Sequence, residues 1–171
     1  MAHVLIVGKP FSGLKNFLLA HNHTYTLLQD ELATKSPEKR LKRRVVCSFQ
    51  DRGSYIAAAQ SIHERSPIDA TITVYESYIV PNAIIAAALG LPCLSEEAAI
   101  ACTDKEVMRQ KFAASLEKVS PDFRVVSSRE SLIEFANSHE FPLILKPANL
   151  AKSLLVTKNN SLDELLANYK H

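Results

Sequence analysis

From His3 to Leu89, short apolar runs alternate with segments whose apolar residues fall at helical spacing, and this alternation constrains the fold more than any other feature. His3-Val-Leu-Ile-Val-Gly8 reads as a buried strand, with Gly8 to Gly13 as the turn after it. Leu14, Phe17 and Leu18 then recur at helical spacing up to His21. Tyr25 to Leu28 and Val45 to Phe49 are short strand candidates, and Ser54 to Glu64 is helical with Ile56, Ala59 and Ile62 on one face. Ala70-Thr-Ile-Thr-Val-Tyr75 is rich in β-branched residues and reads as a strand. Asn82 to Leu89 is an almost wholly apolar helix, ended by Gly90 in the C′ position with Pro92 beyond. Strands this apolar need cover on both faces, so the pattern predicts an α/β domain built on a parallel sheet.

After Pro92 the texture changes. Three capping boxes follow, in which a Ser or Thr accepts from backbone N–H groups and a Glu three residues on reaches back: Thr103/Glu106, Ser131/Glu134 and Ser161/Glu164. Strands are expected at Phe123 to Ser127, Pro142 to Lys146 and Leu154 to Lys158. The order from Thr103 is helix, strand, helix, strand, strand, helix, an α+β pattern. The boundary falls in the stretch from Leu94 to Thr103, giving an α/β domain over 1–98 and a small α+β domain over 99–171.

Charge is unevenly distributed. Lys35 to Arg44 (KSPEKRLKRR) holds six basic side chains against one acid, so this run carries +5 of a net +2 and the remainder sums to −3. Such a run reads as a solvated connection between two strands, or as a docking surface for an acidic partner. No aromatic residue interleaves with it, so it lacks the stacking platform of single-strand nucleic-acid binders, which argues against nucleic acid. The longest apolar run, Ala83 to Leu89, falls far short of the roughly 18–20 residues that span a bilayer, so no membrane partner is expected. So apolar a helix is compatible with a homo-oligomer. Met1-Ala-His-Val lacks the basic and apolar regions of a signal peptide. Cys47, Cys93 and Cys102 share no metal or redox spacing, and their odd number argues for a reducing, cytoplasmic setting.

The turn Gly8-Lys-Pro-Phe-Ser-Gly13 lacks the Gly-x-Gly-x-x-Gly spacing of a dinucleotide site and narrowly misses a P-loop. Leu14 stands where the lysine must be, and Lys15 comes one place late, turned away by about 100° on a helix. A structural turn is the better reading. Lys105 and Arg109 are four apart and share one face of the helix that starts after Thr103. Two cations in opening turns repel each other and oppose the macrodipole, so an anion there would reverse both terms. From Phe141 to Lys146, Pro142, Ile144 and Lys146 project from one face and Phe141, Leu143 and Leu145 from the other. Lys146, ending so apolar a strand, must snorkel to water or meet an anion. Pro147 to Ser153 would form a hairpin loop beside it. His21 and His23 have no partner at ligand spacing, and Cys102 reads as a buried small hydrophobe.

Taken in order, Gly90-Leu-Pro92, the pair Asp104-Lys105, Arg109 one turn on, Phe141-Pro142 leading to Lys146-Pro147, a hairpin and the helix from Ser161 resemble the ATP-grasp ligases. That superfamily includes biotin carboxylase, carbamoyl-phosphate synthetase and amino-acid ligases. The resemblance spans Tyr75 to Leu166, and the Rossmann-like first part is compatible with the family's pre-ATP-grasp domain. It implies that Lys105 or Arg109 contacts nucleotide phosphate, Arg109 matching the arginine that carbamoyl-phosphate synthetases place there. Lys146 would bind the α/β-phosphates, and Lys152 and Ser153 would belong to the phosphate-covering loop. The implied cofactors are ATP and Mg²⁺. The implied chemistry is phosphorylation of a small carboxylate substrate, followed by attack of an amine or related nucleophile on the acyl phosphate. Two departures stand out. The covering loop Pro147 to Ser153 contains no glycine, whereas the family's is glycine-rich so that backbone N–H groups can approach phosphates. The family's adenine hinge and Mg²⁺ ligands would lie beyond His171, so the expectation is an N-terminal fragment of a longer ligase, inactive alone. The alternative is a stand-alone, catalytically inactive α/β module docking through its basic run.

Overall fold

The computed structural model describes residues 1–30, 43–115, 120–148, 150 and 154–169. Two compact units divide the chain, Met1–Thr103 and Asp104–His171. Residues 98 and 99, between which the sequence reading drew its boundary, both lie inside a helix of the first unit.

In the first unit β1 (His3–Val7), β2 (Thr24–Asp30), β3 (Arg44–Cys47) and β4 (Ala70–Ile72) form one parallel sheet in the order β3-β2-β1-β4. β1 is buried at every position, as a central strand covered on both faces must be. Its residues divide by parity. Leu5 and Val7 face one core with Leu28, Tyr55, Ala59, Ile62, Ile84 and Ile85. Val4 and Ile6 face the other with Leu18, Tyr25 and Leu27. Thus α2 (Arg52–Arg65) and α3 (Ile79–Ala88) cover one face and α1 (Ser12–Ala20) covers the other.

Local chemistry sets the ends of these helices. Asp51 caps α2, its carboxylate accepting from the Gly53 N–H at 2.9 Å. α3 closes as expected at Gly90: Leu91 N–H donates to the Ala86 carbonyl and Gly90 N–H to the Ala87 carbonyl, with Gly90 at φ 68°. That bond pair is a Schellman motif, and its left-handed residue is why glycine stands there. α4 (Glu96–Thr103) packs on α3, and Arg52 binds Glu96 through both guanidinium nitrogens at 2.8 and 2.9 Å.

β4 is shorter than the expected Ala70 to Tyr75. It is an edge strand whose single neighbour β1 ends at Val7, one residue beyond the Ile6–Ile72 pair, so past Thr73 no ladder is left to extend. Tyr75 instead leads into a 3-10 turn over Glu76–Tyr78. His3 at the start of β1 is buried, its Nε2 2.9 Å from Thr26 Oγ1 and its Nδ1 within 3.2 Å of the Ser66 and Pro67 carbonyls and of Ser66 Oγ.

The second unit is a mixed α+β region. It comprises α5 (Lys105–Ser115), α6 (Arg129–Asn137), the antiparallel pair β5 (Leu143–Leu145) and β6 (Thr157–Asn159), and α7 (Leu162–Asn168). The Phe141–Pro142 bond is cis. Leu143 and Leu145 pack with Leu132, Ala136, Leu165 and Phe141, while Ile144, opposite Lys158, is 58% exposed, in agreement with the strand parity read from Phe141 to Lys146. Asn159 is fully buried and satisfied: its Nδ2 donates to the Leu143 carbonyl and its Oδ1 accepts from Asn168 Nδ2 at 2.8 Å.

Several local expectations are corrected here. Phe123 to Ser127 joins no ladder, and β6 begins at Thr157 rather than Leu154, after a left-handed Leu155 at φ 56° that no strand accommodates. Ser161 caps α7 as expected. Glu164, however, reaches past the cap to the Asn160 N–H. At α6 the cap is Ser128, and Ser131 is its reciprocal partner. Thr103 ends α4, its hydroxyl donating back to the Ala99 and Ile100 carbonyls, and Asp104 caps α5. Among the described residues no helix is long and apolar enough to cross a membrane.

Candidate functional site

Lys105, Arg109 and Lys146 all lie in the second unit, at the start of α5 and directly after β5. Asp104 opens the site: its Oδ1 accepts from the Glu106 and Val107 N–H groups at 2.8 and 3.1 Å and fixes where α5 begins. Lys105, the first helical residue, clamps the chain that follows β5. Its backbone N–H donates to the Ala148 carbonyl at 2.9 Å, and its Nζ donates to the Leu150 carbonyl at 2.7 Å. One turn on, Arg109 donates to Ser120 Oγ at 3.3 Å.

Lys146 differs from both. It is exposed, and among the described residues it has no hydrogen-bond or ion-pair partner. Its amine titrates below the ordinary lysine value of 10.5, first because partial burial disfavours the charge, then because Arg109 and Lys105 repel it. An arrangement of this kind attracts an anion with several negative oxygens, because each added negative charge relieves a repulsion the protein otherwise carries.

Lys152 and Ser153, expected in the covering loop, lie outside the described residues, as does most of the basic run from Lys35. Sequence reasoning missed Ser120 and the Ala148 and Leu150 carbonyls. A carbonyl has no side-chain signature, so nothing in the sequence marks it. It also passed over His3, whose strand position hides a polar group inside an apolar run.

The other candidates resolve differently. Gly8 has φ 88°, and a Cβ there would clash with the Tyr78 ring, so the turn after β1 requires glycine at this position. His21 Nδ1 lies 2.9 Å from the Phe17 carbonyl, and His23 Nδ1 accepts from the Ala2 N–H. Cys102 is exposed rather than buried, because α4 turns only Ala99 fully inward. Among the described residues no group of three or more His, Cys, Asp or Glu is placed to hold a metal ion.

No protein-family model matches the sequence, and no curated protein matches it. Solved structures do match. An L-amino acid ligase from Bacillus licheniformis superposes with TM-score 0.77 at 18% identity, over 98% of this chain and 41% of that one. A phosphoribosylglycinamide synthetase from Anaerococcus prevotii gives 0.62 at 18% identity, over 97% and 40%. An N5-carboxyaminoimidazole synthase from Aspergillus clavatus, solved in complex with ADP and 5-aminoimidazole ribonucleotide, gives 0.66 at 16% identity, over 99% and 44%. The chain therefore spans well under half the length of each. With a Rossmann-like parallel sheet followed by a mixed α+β region, the chain shares the fold of the corresponding parts of these three structures.

Proposed function

We propose that this chain contributes the pre-ATP-grasp domain and the first ATP-grasp subdomain of an ATP-dependent ligase that joins a small carboxylate to an amine or related nucleophile. The observation that carries the reading is the fold shared with these ligases and synthases, in whose second unit Lys105 at the start of α5 is bonded to the Ala148 and Leu150 carbonyls of the segment that begins at Lys146. Arg109 and Lys146 neutralise the nucleotide's phosphate oxygens, while Lys105 holds the segment after β5 against α5 through the Ala148 and Leu150 carbonyls. Lys152 and Ser153 belong to the covering loop in this reading.

The three cations fit a polyphosphate. Mg²⁺ finds no donor cluster among the described residues, so its ligands are assigned to other parts of the ligase. ATP supplies a phosphoryl group that activates the carboxylate as an acyl phosphate. The chain's own part is positioning and charge neutralisation, the main sources of rate in phosphoryl transfer.

Calorimetric titration of Mg-ATP into the complete gene product tests this. Micromolar binding that is weakened about tenfold or more by Lys146→Ala and by Arg109→Ala is expected, since a lost charge-assisted contact costs about 1.5–3 kcal/mol. Absence of binding by the folded product would defeat the reading and leave the docking module.

A further inference from the structure

We infer that α1 carries a self-association surface, on which a second copy of this chain docks across a two-fold axis beside Phe17. The inference is independent of the phosphate site, since it concerns the first unit alone.

The helices of that unit differ in what they show to solvent. On α2 the exposed positions include Arg52, Gln60, Glu64 and Arg65, as expected of a helix whose outer face meets water. On α1 the exposed positions are Ser12, Gly13, Asn16, Phe17, Leu19 and Ala20, and none is charged. Gly13, Phe17 and Ala20 recur at helical spacing on one flank. Phe11, just before the helix, folds onto this flank, its ring taking the space that a Cβ on Gly13 would need. His21 closes the other end, its ring centroid 4.2 Å from that of Phe17 and its Nδ1 2.9 Å from the Phe17 carbonyl. Phe11 and Phe17 are 57% and 56% exposed, and neither belongs to the core beneath α1, to which the helix contributes Leu14 and Leu18.

The absence of charge decides the occupant. A patch on a two-fold axis meets its own copy, so each charge in it would face a like charge. The α1 strip avoids this. Lys15, the helix's one charged residue, is half-buried and about 160° around the helix from Phe17. A nucleic acid, an anionic lipid surface or an acidic peptide would find no lysine or arginine on the strip to pair with. The apolar helix α3, whose sequence suited a homo-oligomer, offers no such face, because Ala83 to Ala86 are buried within the unit. In antiparallel pairing of two α1 helices, each Phe17 lies beside Ala20 of the second copy, where a small side chain leaves room. Four phenylalanine rings, each a little over half exposed, bury roughly 400 Å² between them. A specific, stable interface needs about 1,200 Å² or more, so the rings anchor a weak, reversible dimer with Ser12, Asn16 and His21 as its polar rim.

Sedimentation equilibrium of the 171-residue chain over a wide range of concentration tests this. The mass should rise from the 19.0 kDa of one chain toward twice that value, with a midpoint at micromolar concentration or above. Phe17→Glu should weaken association about a hundredfold or more, because it sets two like charges together at the axis. Gln60→Glu, on the exposed face of α2, should leave it unchanged. A mixture of Phe17→Glu and Phe17→Lys chains should regain the dimer, a rescue that misfolded variants cannot give. A chain that keeps the mass of one copy throughout overturns the inference. So does a dimer indifferent to Phe17→Glu, which would be built on another face. Growth past two copies overturns it as well, since it would mean a head-to-tail contact in place of a two-fold axis.

Discussion

Lys146 shows how one side chain reports on its neighbours. Partly desolvated in the folded chain and repelled by Arg109 and Lys105, its amine has a lower pKa than the same amine in an unfolded chain. Between the two values the unfolded state binds more protons, so this group makes stability rise with pH as the alkaline range is entered. Below the window Lys146 is charged in both states and the folded chain carries the full repulsion. Lys146→Met should therefore stabilise the chain near neutrality by about 0.2–0.5 kcal/mol per like-charge pair, a surface value already screened by solvent. The gain should shrink as pH climbs through the lowered pKa, and also with added salt. Urea unfolding at stepped pH reads this directly, and a gain that grew with pH would contradict the cation cluster. At this scale the sequence was legible where geometry is periodic. The parity of Phe141 to Lys146 and the helical spacing of Lys105 and Arg109 are both visible in it. The acceptors Ser120, Ala148 and Leu150 were not, because they approach through tertiary structure.

Among the elements, helix starts were the least legible, for a physical reason. Ser, Thr and Asp all cap, and around α5 and α6 several stand within four residues of one another. Which one wins depends on where the chain turns. Thr103 continues α4 and bonds backward, a habit of hydroxyls inside helices, and so leaves Asp104 to cap α5. Ser128 and Ser131 satisfy each other's backbone N–H groups, a reciprocal box without a glutamate. The caps therefore make a sharp prediction. Asp104→Ala and Ser128→Ala should each cost about 1 kcal/mol, whereas Thr103→Ala should cost less than about 0.5 kcal/mol. Thermal unfolding ranks them. Equal losses at Thr103 and Asp104 would return the cap to Thr103. Asp104→Ala carries a second consequence, since loosening the first turn of α5 also loosens the placement of Lys105 and Arg109.

For the molecule as a whole, the parallel sheet was the most legible feature, because strands covered on both faces are dominated by apolar residues. β1 reads as the apolar run Val4 to Val7 and β2 carries Leu27 and Leu28 at its centre, all of them buried, with His3, Thr26 and Gln29 as buried polar residues among them. The edge strand and the hairpin of the second unit were less so. Short ladders end where a neighbour ends, and that is a property of two segments at once. The same contrast locates stability. Leu5 on β1 is 0% exposed, within a core that also contains Leu28, Tyr55, Ile62 and Ile85, and no side chain there can collapse into its space without leaving its own packing. Leu5→Ala should cost about 2–5 kcal/mol, the range for a wholly buried leucine. Ile144 is as apolar as Leu5 yet turns outward from β5, and Ile144→Thr should change stability by less than about 0.5 kcal/mol. Both substitutions remove hydrophobic surface, so composition alone ranks them alike and only the strand parities separate them. Urea midpoints that moved equally for the two would mean that one of those parities is misassigned, and the faces on which the cation site is built would have to be redrawn with it.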